Sequence, residues 1–179
     1  MTRGGIGSYA VLERGIRNVL KGRDGADVYF TTMIDLYKLP KDFPGKADRD
    51  LDPVNPMPYV EALERAFEEA IEDRRFIPYI QLYEYETLLF SDPECFRISF
   101  DDCDAAVASL QGIVASYRSI EHINDGEATA PSKRIIALLP EYHGRKVDAG
   151  PDIVEYIGLA TLCRKCPHFD GWLNRLESR

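Results

Sequence analysis

The chain has no apolar run approaching the roughly 20 residues that a membrane-crossing helix needs. Its opening residues, MTRGGIGSYA, lack the apolar core of a secretion signal. A cytoplasmic protein is therefore expected. Positive charge is also short: 22 Lys and Arg stand against 30 Asp and Glu, a net charge of −8. That argues against a broad basic footprint for nucleic acid, as does the lack of a basic stripe interleaved with aromatics. It leaves open an acidic centre whose metal ion supplies the positive charge. Cysteines number only four, Cys95, Cys103, Cys163 and Cys166, and in the cytoplasm they are expected to be reduced. Cys163 and Cys166, with His168 just beyond, look like half a zinc site. Cys95 and Cys103 make a poor second pair, so buried thiols at helix ends are the better reading. There is no internal repeat and no low-complexity segment.

What is present suits a soluble globular domain. The 179 residues suffice for one domain, 1–179, with a real core. The organising stretch is Phe76 to Phe90, FIPYIQLYEYETLLF. Its first apolar run has the length and β-favouring composition of a strand. Glu84 and Glu86 follow, and then Leu88 to Phe90, which reads as a helix turn packing back. Acids at the end of a buried strand sit where α/β sheets keep their active sites. The pair either binds a cation or caps the next helix.

Gly4, Gly5 and Gly7 form a flexible lead, and Ser8 is a suitable N-cap. Tyr9, Leu12, Ile16, Val19 and Leu20 then recur at helical spacing until Gly22 and Gly25. Asp27 to Ile34, DVYFTTMI, reads as a strand buried on both faces, as in a parallel sheet, with Asp35 at its C-terminal end. A long loop bearing Pro44, Pro53, Pro56 and Pro58 follows, either functional or an excursion. Val60, Leu63, Phe67, Ala70 and Ile71 mark an amphipathic helix. Its acids, Glu61, Glu64, Glu68, Glu69 and Glu72, read as a solvated face. Strand, helix and strand make a βαβ unit. Pro78 argues for an edge position or an irregular start to the second strand.

From Asp101 onward the pattern is helical, with Val107, Leu110, Val114 and Tyr117 in one stripe. Glu121 to Ser132, which contains Asn124 and Asp125, reads as a polar loop. Pro131 suits the first turn of a helix through Ile135, Leu138 and Leu139. Glu141 to Gly150 reads as a loop, Pro151 as the start of a short helix ending at Gly158, and Pro167 as the start of the last helix. The fold expected is α/β: a small, mostly parallel sheet with a helical C-terminal half.

Asp35, Glu84 and Glu86 all lie at expected strand ends, and parallel neighbours would bring those ends side by side. Hard oxygen ligands there suit Mg²⁺, which takes one or two carboxylates and keeps several waters. Lys133, in Ala130-Pro131-Ser132-Lys133-Arg134, is the best candidate for a cation opposite developing phosphate charge. It sits at a helix start, which itself attracts anions. Each feature has a plainer reading: Asp35 as a turn residue, Glu84 and Glu86 as helix-start acids, Lys133 as a solvated first-turn lysine.

Four stretches, Thr31–Gly45, Arg75–Pro93, Ile123–Ile135 and Ile157–Leu176, resemble in order and spacing the bacterial DUF4276 family, which is regarded as TOPRIM-like. The resemblance implies a TOPRIM-like sheet and a Mg²⁺- or Mn²⁺-dependent cut or transfer on DNA or RNA phosphodiesters. It also implies antiphage defence beside an ATPase partner. Within it, Asp35 matches the later-strand acid, Glu84 and Glu86 the Glu-aromatic-Glu block, and Lys133 the Pro-Ser-Lys block.

The chain departs from that family in three ways. It begins after the usual first strand and its Glu-Gly, so the sheet is incomplete at the N-terminus and the first-strand ligand has no match. Tyr83 stands where a His is expected, and a phenol is the weaker ligand and base. Asp35-Leu36-Tyr37 is not the Asp-x-Asp of ordinary TOPRIM domains. A two-stranded sheet is marginal by itself. Helices must cover it heavily, or Cys95 to Phe100 adds a strand, or another chain completes it in a homo-oligomer. The rival function is an inactive or non-enzymatic binding subunit, and a weaker third is a small-molecule phosphate handler.

Overall fold

The computed structural model describes residues 7–22, 25, 27–46, 51–52, 55–124 and 126–179. Gly4, Gly5, Pro53 and Asp125 lie outside the described residues. The chain divides into two compact units, Met1–Leu82 with Trp172–Arg179, and Tyr83–Gly171. No helix among the described residues is long and apolar enough to cross a membrane.

The first unit opens with α1, Tyr9–Lys21, preceded by an extended Ser8 and closed by Gly22, within the expected bounds. Arg17 on α1 donates to the carbonyls of Ala70 at 2.8 Å and Ile71 at 3.0 Å. These belong to the last turn of α2, Met57–Ile71, where carbonyls have no partner inside the helix and a cation suits the dipole. Of the expected inward positions of α2, Val60, Leu63, Phe67 and Ile71 are buried, and Ala70 is half-buried. Glu64 does not join the solvated acidic face. It is buried, and its carboxylate accepts the Ile80 N–H at 2.8 Å. A carboxylate on the inner side of a helix is worth its desolvation when it satisfies a buried backbone donor.

The strands are shorter than the sequence suggests. β1, Phe30–Thr31, pairs in parallel with β3, Phe76–Ile77. β2, Ile34–Asp35, pairs in parallel with β4, Ile80–Gln81. The parallel βαβ arrangement around α2 is as expected, but each long strand is split in two. Pro78 has no N–H to donate, so the ladder breaks there. The other expectation that fails is burial on both faces of the first strand. Thr31 and Met33 are exposed, whereas β3 and β4 are buried throughout. Trp172 covers part of this unit, stacking on Tyr79 at 4.7 Å and donating to Thr31 Oγ1 at 2.8 Å. The core is aromatic: Phe67 meets Phe43 at 4.9 Å, Phe76 at 5.0 Å and Tyr9 at 6.0 Å, all edge-on.

The second unit is helical. It begins at Tyr83, whose φ of 63° turns the chain, and runs into a 3₁₀ segment, Tyr85–Ser91, the expected helix turn. A second 3₁₀ segment, Pro93–Ile98, stands where Cys95 to Phe100 offered a third strand, so no strand is added there. Asp92 accepts the Glu94 N–H at 3.1 Å and starts that turn. Then come α3, Asp104–Ala115, α4, Pro131–Leu138, and α5, Tyr142–Ile157. α6 is Leu159–Lys165, and α7 is Pro167–Glu177, whose residues from Trp172 belong to the first unit. Glu141 to Gly150 is not a loop, and Pro151 does not start a helix. Both lie at or within α5, where Tyr142, Ala149, Gly150, Ile153 and Ile157 form a buried stripe at helical spacing. That stripe outweighs the cost of an interior proline. Gly158, at φ 77°, ends α5 as expected.

Glu121 is almost wholly buried, and its two carboxylate oxygens accept the N–H groups of His168 at 3.2 Å and Phe169 at 3.3 Å, in the first turn of α7. Burial raises its pKa, and those two backbone donors and the His168 side chain offset this only in part. Gln offers one oxygen where two are used, so Glu121→Gln should cost about 1–3 kcal/mol at neutral pH. The folded chain holds this proton more tightly than the unfolded chain does. The carboxylate's contribution therefore improves on acidification, from above the raised folded pKa down to the ordinary value near ~4.3. The melting-temperature gap between wild type and Glu121→Gln should widen as pH falls from neutral through that window. A gap that narrows on acidification would contradict this assignment.

Candidate functional site

The second unit carries the chemistry-bearing cluster. Glu84 is extended, just past the Tyr83 turn, and half-buried. One of its oxygens accepts the Ser132 N–H at 3.0 Å. Pro131 is the first residue of α4 and has no N–H, so Ser132 supplies an early helix donor for that carboxylate. Glu84 thus caps a helix, but a later one than the turn that follows it in sequence. Lys133 is the next residue along α4 and is exposed.

Glu86 is buried, and Lys146 of α5 donates to its Oε1 at 2.9 Å. The Lys146 ammonium also lies 5.9 Å from the Tyr142 ring centre. Tyr142, Lys146 and Gly150 are spaced by four residues and share one face of α5. A Cβ at Gly150 would stand 3.3 Å from Tyr142 Oη and 3.5 Å from Tyr85 Cε1. Glycine there lets α5 approach Tyr85 and leaves room for the hydroxyl of its own Tyr142. Tyr142 is fully buried, and its hydroxyl has no hydrogen-bond partner among the described residues. Its pKa is raised, first by burial and then by the charge of Glu86, with Tyr85 and Glu84 adding to it. Tyr85 is raised in the same way, by burial and then by Glu86. The buried Tyr142 hydroxyl therefore sits in the field of both carboxylates.

Asp35 belongs to the first unit. It is the last residue of β2, in register with Gln81, and half-buried before a 3₁₀ turn, Leu36–Lys38. Of the residues singled out by sequence, Glu84 bonds the start of α4, where Lys133 is the next residue along, and Glu86 is held from α5. Among the described residues no group of three or more His, Cys, Asp or Glu side chains gathers as a metal-ligand set. Cys166 is a buried thiol, 3.6 Å from the Ser91 hydroxyl, and burial pushes its pKa up to about 12. Lys146 and Tyr142 escaped the sequence reading because their segment passed for a loop. The spacing Tyr142-Lys146-Gly150-Ile153-Ile157 is the signal that reveals them.

Fold and cluster define a largely helical α/β protein with parallel strand pairs, in which Lys146 pairs with Glu86 and Glu84 caps α4. The family described as Domain of unknown function (DUF4276) has a model that matches residues 2–177, and the chain belongs to that family. No curated protein and no solved structure matches the chain.

Proposed function

We propose that this chain is a TOPRIM-like, Mg²⁺- or Mn²⁺-dependent phosphodiesterase acting on DNA or RNA, a cytoplasmic component of antiphage defence working with an ATPase partner. The observation that carries the reading is the pair Glu84 and Glu86 beside the buried, unpartnered Tyr142 hydroxyl. The described contacts engage one oxygen of each carboxylate. Two hard oxygen ligands are enough for Mg²⁺, which keeps most of its waters. Bound there, the ion would acidify a water and stabilise charge on a phosphoryl oxygen. Glu84 and Glu86 are the groups that would hold it. Tyr142 is a donor for a bound water or phosphate oxygen, and Lys133 a cation for the phosphate at the start of α4. Asp35 as a ligand rests on the family pattern alone.

One observation favours a non-enzymatic binding subunit: both glutamates already have structural work, one as a helix cap and one as an ion pair. The two readings separate in one assay. Purified protein is incubated with plasmid and single-stranded DNA or RNA in Mg²⁺ or Mn²⁺, then with EDTA, with and without the ATPase. Cleavage that EDTA abolishes is the expected outcome. Intact substrate under every condition counts heavily against the enzyme and leaves the binding subunit as the reading to pursue.

A further inference from the structure

We propose that Lys146 is the resident cation of Glu86 and competes with a divalent ion for it, so that Lys146 sets the metal affinity of the site. The inference rests on the reading of Glu86 as a metal ligand. Lys146 Nζ lies 2.9 Å from Glu86 Oε1, within direct hydrogen-bonding distance. An ammonium and a divalent ion on the same carboxylate repel each other strongly where water is scarce, and the Glu86 side chain is only 11% exposed. One of the two must leave. Lys146 is able to, since its side chain is 34% exposed and its flexible stem lets the ammonium swing into solvent. The buried Tyr142 hydroxyl, with no partner among the described residues, lies in the field of the same carboxylates, and Lys146 Nζ is 5.9 Å from its ring centre. It is a donor placed where an oxygen ligand of an arriving ion, or a phosphate, would need one. The resting cluster is thus neutralised by a side chain rather than left as an open anionic cage.

The test is a Mn²⁺ titration of the full chain, followed by the EPR signal of the free ion. Lys146→Met keeps the stem and removes the charge, and it should bind Mn²⁺ about tenfold more tightly, the worth of one charge-assisted hydrogen bond no longer broken. Lys146→Gln provides a second neutral variant, and melting in EDTA verifies that each is folded. Lys146→Arg should bind as the wild type does. Lys165→Met, on the exposed side of α6, makes the same change in net charge and should leave affinity unaltered. If the wild type binds Mn²⁺ but the neutral variants bind it no better, or Lys165→Met tightens binding equally, Lys146 is not the competitor and the metal reading stands without it. If neither wild type nor the neutral variants bind Mn²⁺, the metal reading falls and the competition with it.

Discussion

Phe67→Ala should destabilise the first unit by about 3–5 kcal/mol, the range for removing a buried aromatic ring. Phe67 is fully buried on α2 and is the shared neighbour of Phe43, Phe76 and Tyr9. Its loss removes three edge-on ring contacts along with the apolar area. The void cannot close easily, because its walls come from three separate places: α1, the turn at Phe43 and β3. The strands themselves offer little resistance, each being two residues long. Most of the order in this unit must therefore come from side-chain packing between α2 and the strands rather than from the ladder. Urea unfolding followed by far-UV circular dichroism gives the free energy. A loss below about 1 kcal/mol, the scale of a surface substitution, would mean the strand ladders carry the unit by themselves. Phe67→Leu, which refills much of the space, should recover a large part of the loss.

The contrast between α2 and α5 shows what the sequence discloses. α2 was legible because Val60, Leu63, Phe67 and Ile71 repeat at helical spacing between two strand-like runs, and the parallel pairing around it followed from chain order. α5 was not, because Gly144, Gly150 and Pro151 are loop-formers locally, and only the tertiary burial of Tyr142, Ala149, Ile153 and Ile157 makes them helical. The site divided along the same line. Glu84 and Glu86 stood out from their place after an apolar run. Lys146 did not, because its partnership with Glu86 spans 60 residues and no local pattern announces it. Glu64 failed for a related reason. A helical wheel puts it among acids, while the Ile80 N–H that accounts for its burial lies on a different element.

Glu84→Gln should leave the fold nearly intact while removing divalent-ion binding and cleavage, and this is the sharpest way to separate a helix cap from a metal ligand. The amide oxygen of Gln still accepts the Ser132 N–H, so α4 keeps its cap. The charge lost near the helix N-terminus costs about 0.3–1 kcal/mol. A metal ligand has no such substitute, because a neutral amide replaces a carboxylate poorly on a hard cation. Mn²⁺ affinity and cleavage should each fall by at least about 100-fold. Glu86→Gln should match it in both losses but destabilise more. It leaves the Lys146 ammonium facing a neutral, buried partner, and removing one member of a partly buried pair costs more than the pair contributes. The two variants thus differ in stability and agree in function. If Glu84→Gln binds Mn²⁺ and cleaves as the wild type does, Glu84 is a helix cap and nothing more. Tyr142→Phe supplies the remaining comparison. It deletes a hydroxyl that has no hydrogen-bond partner among the described residues, so the unliganded protein should be as stable or slightly more so. Any loss then appears only with ion or phosphate bound.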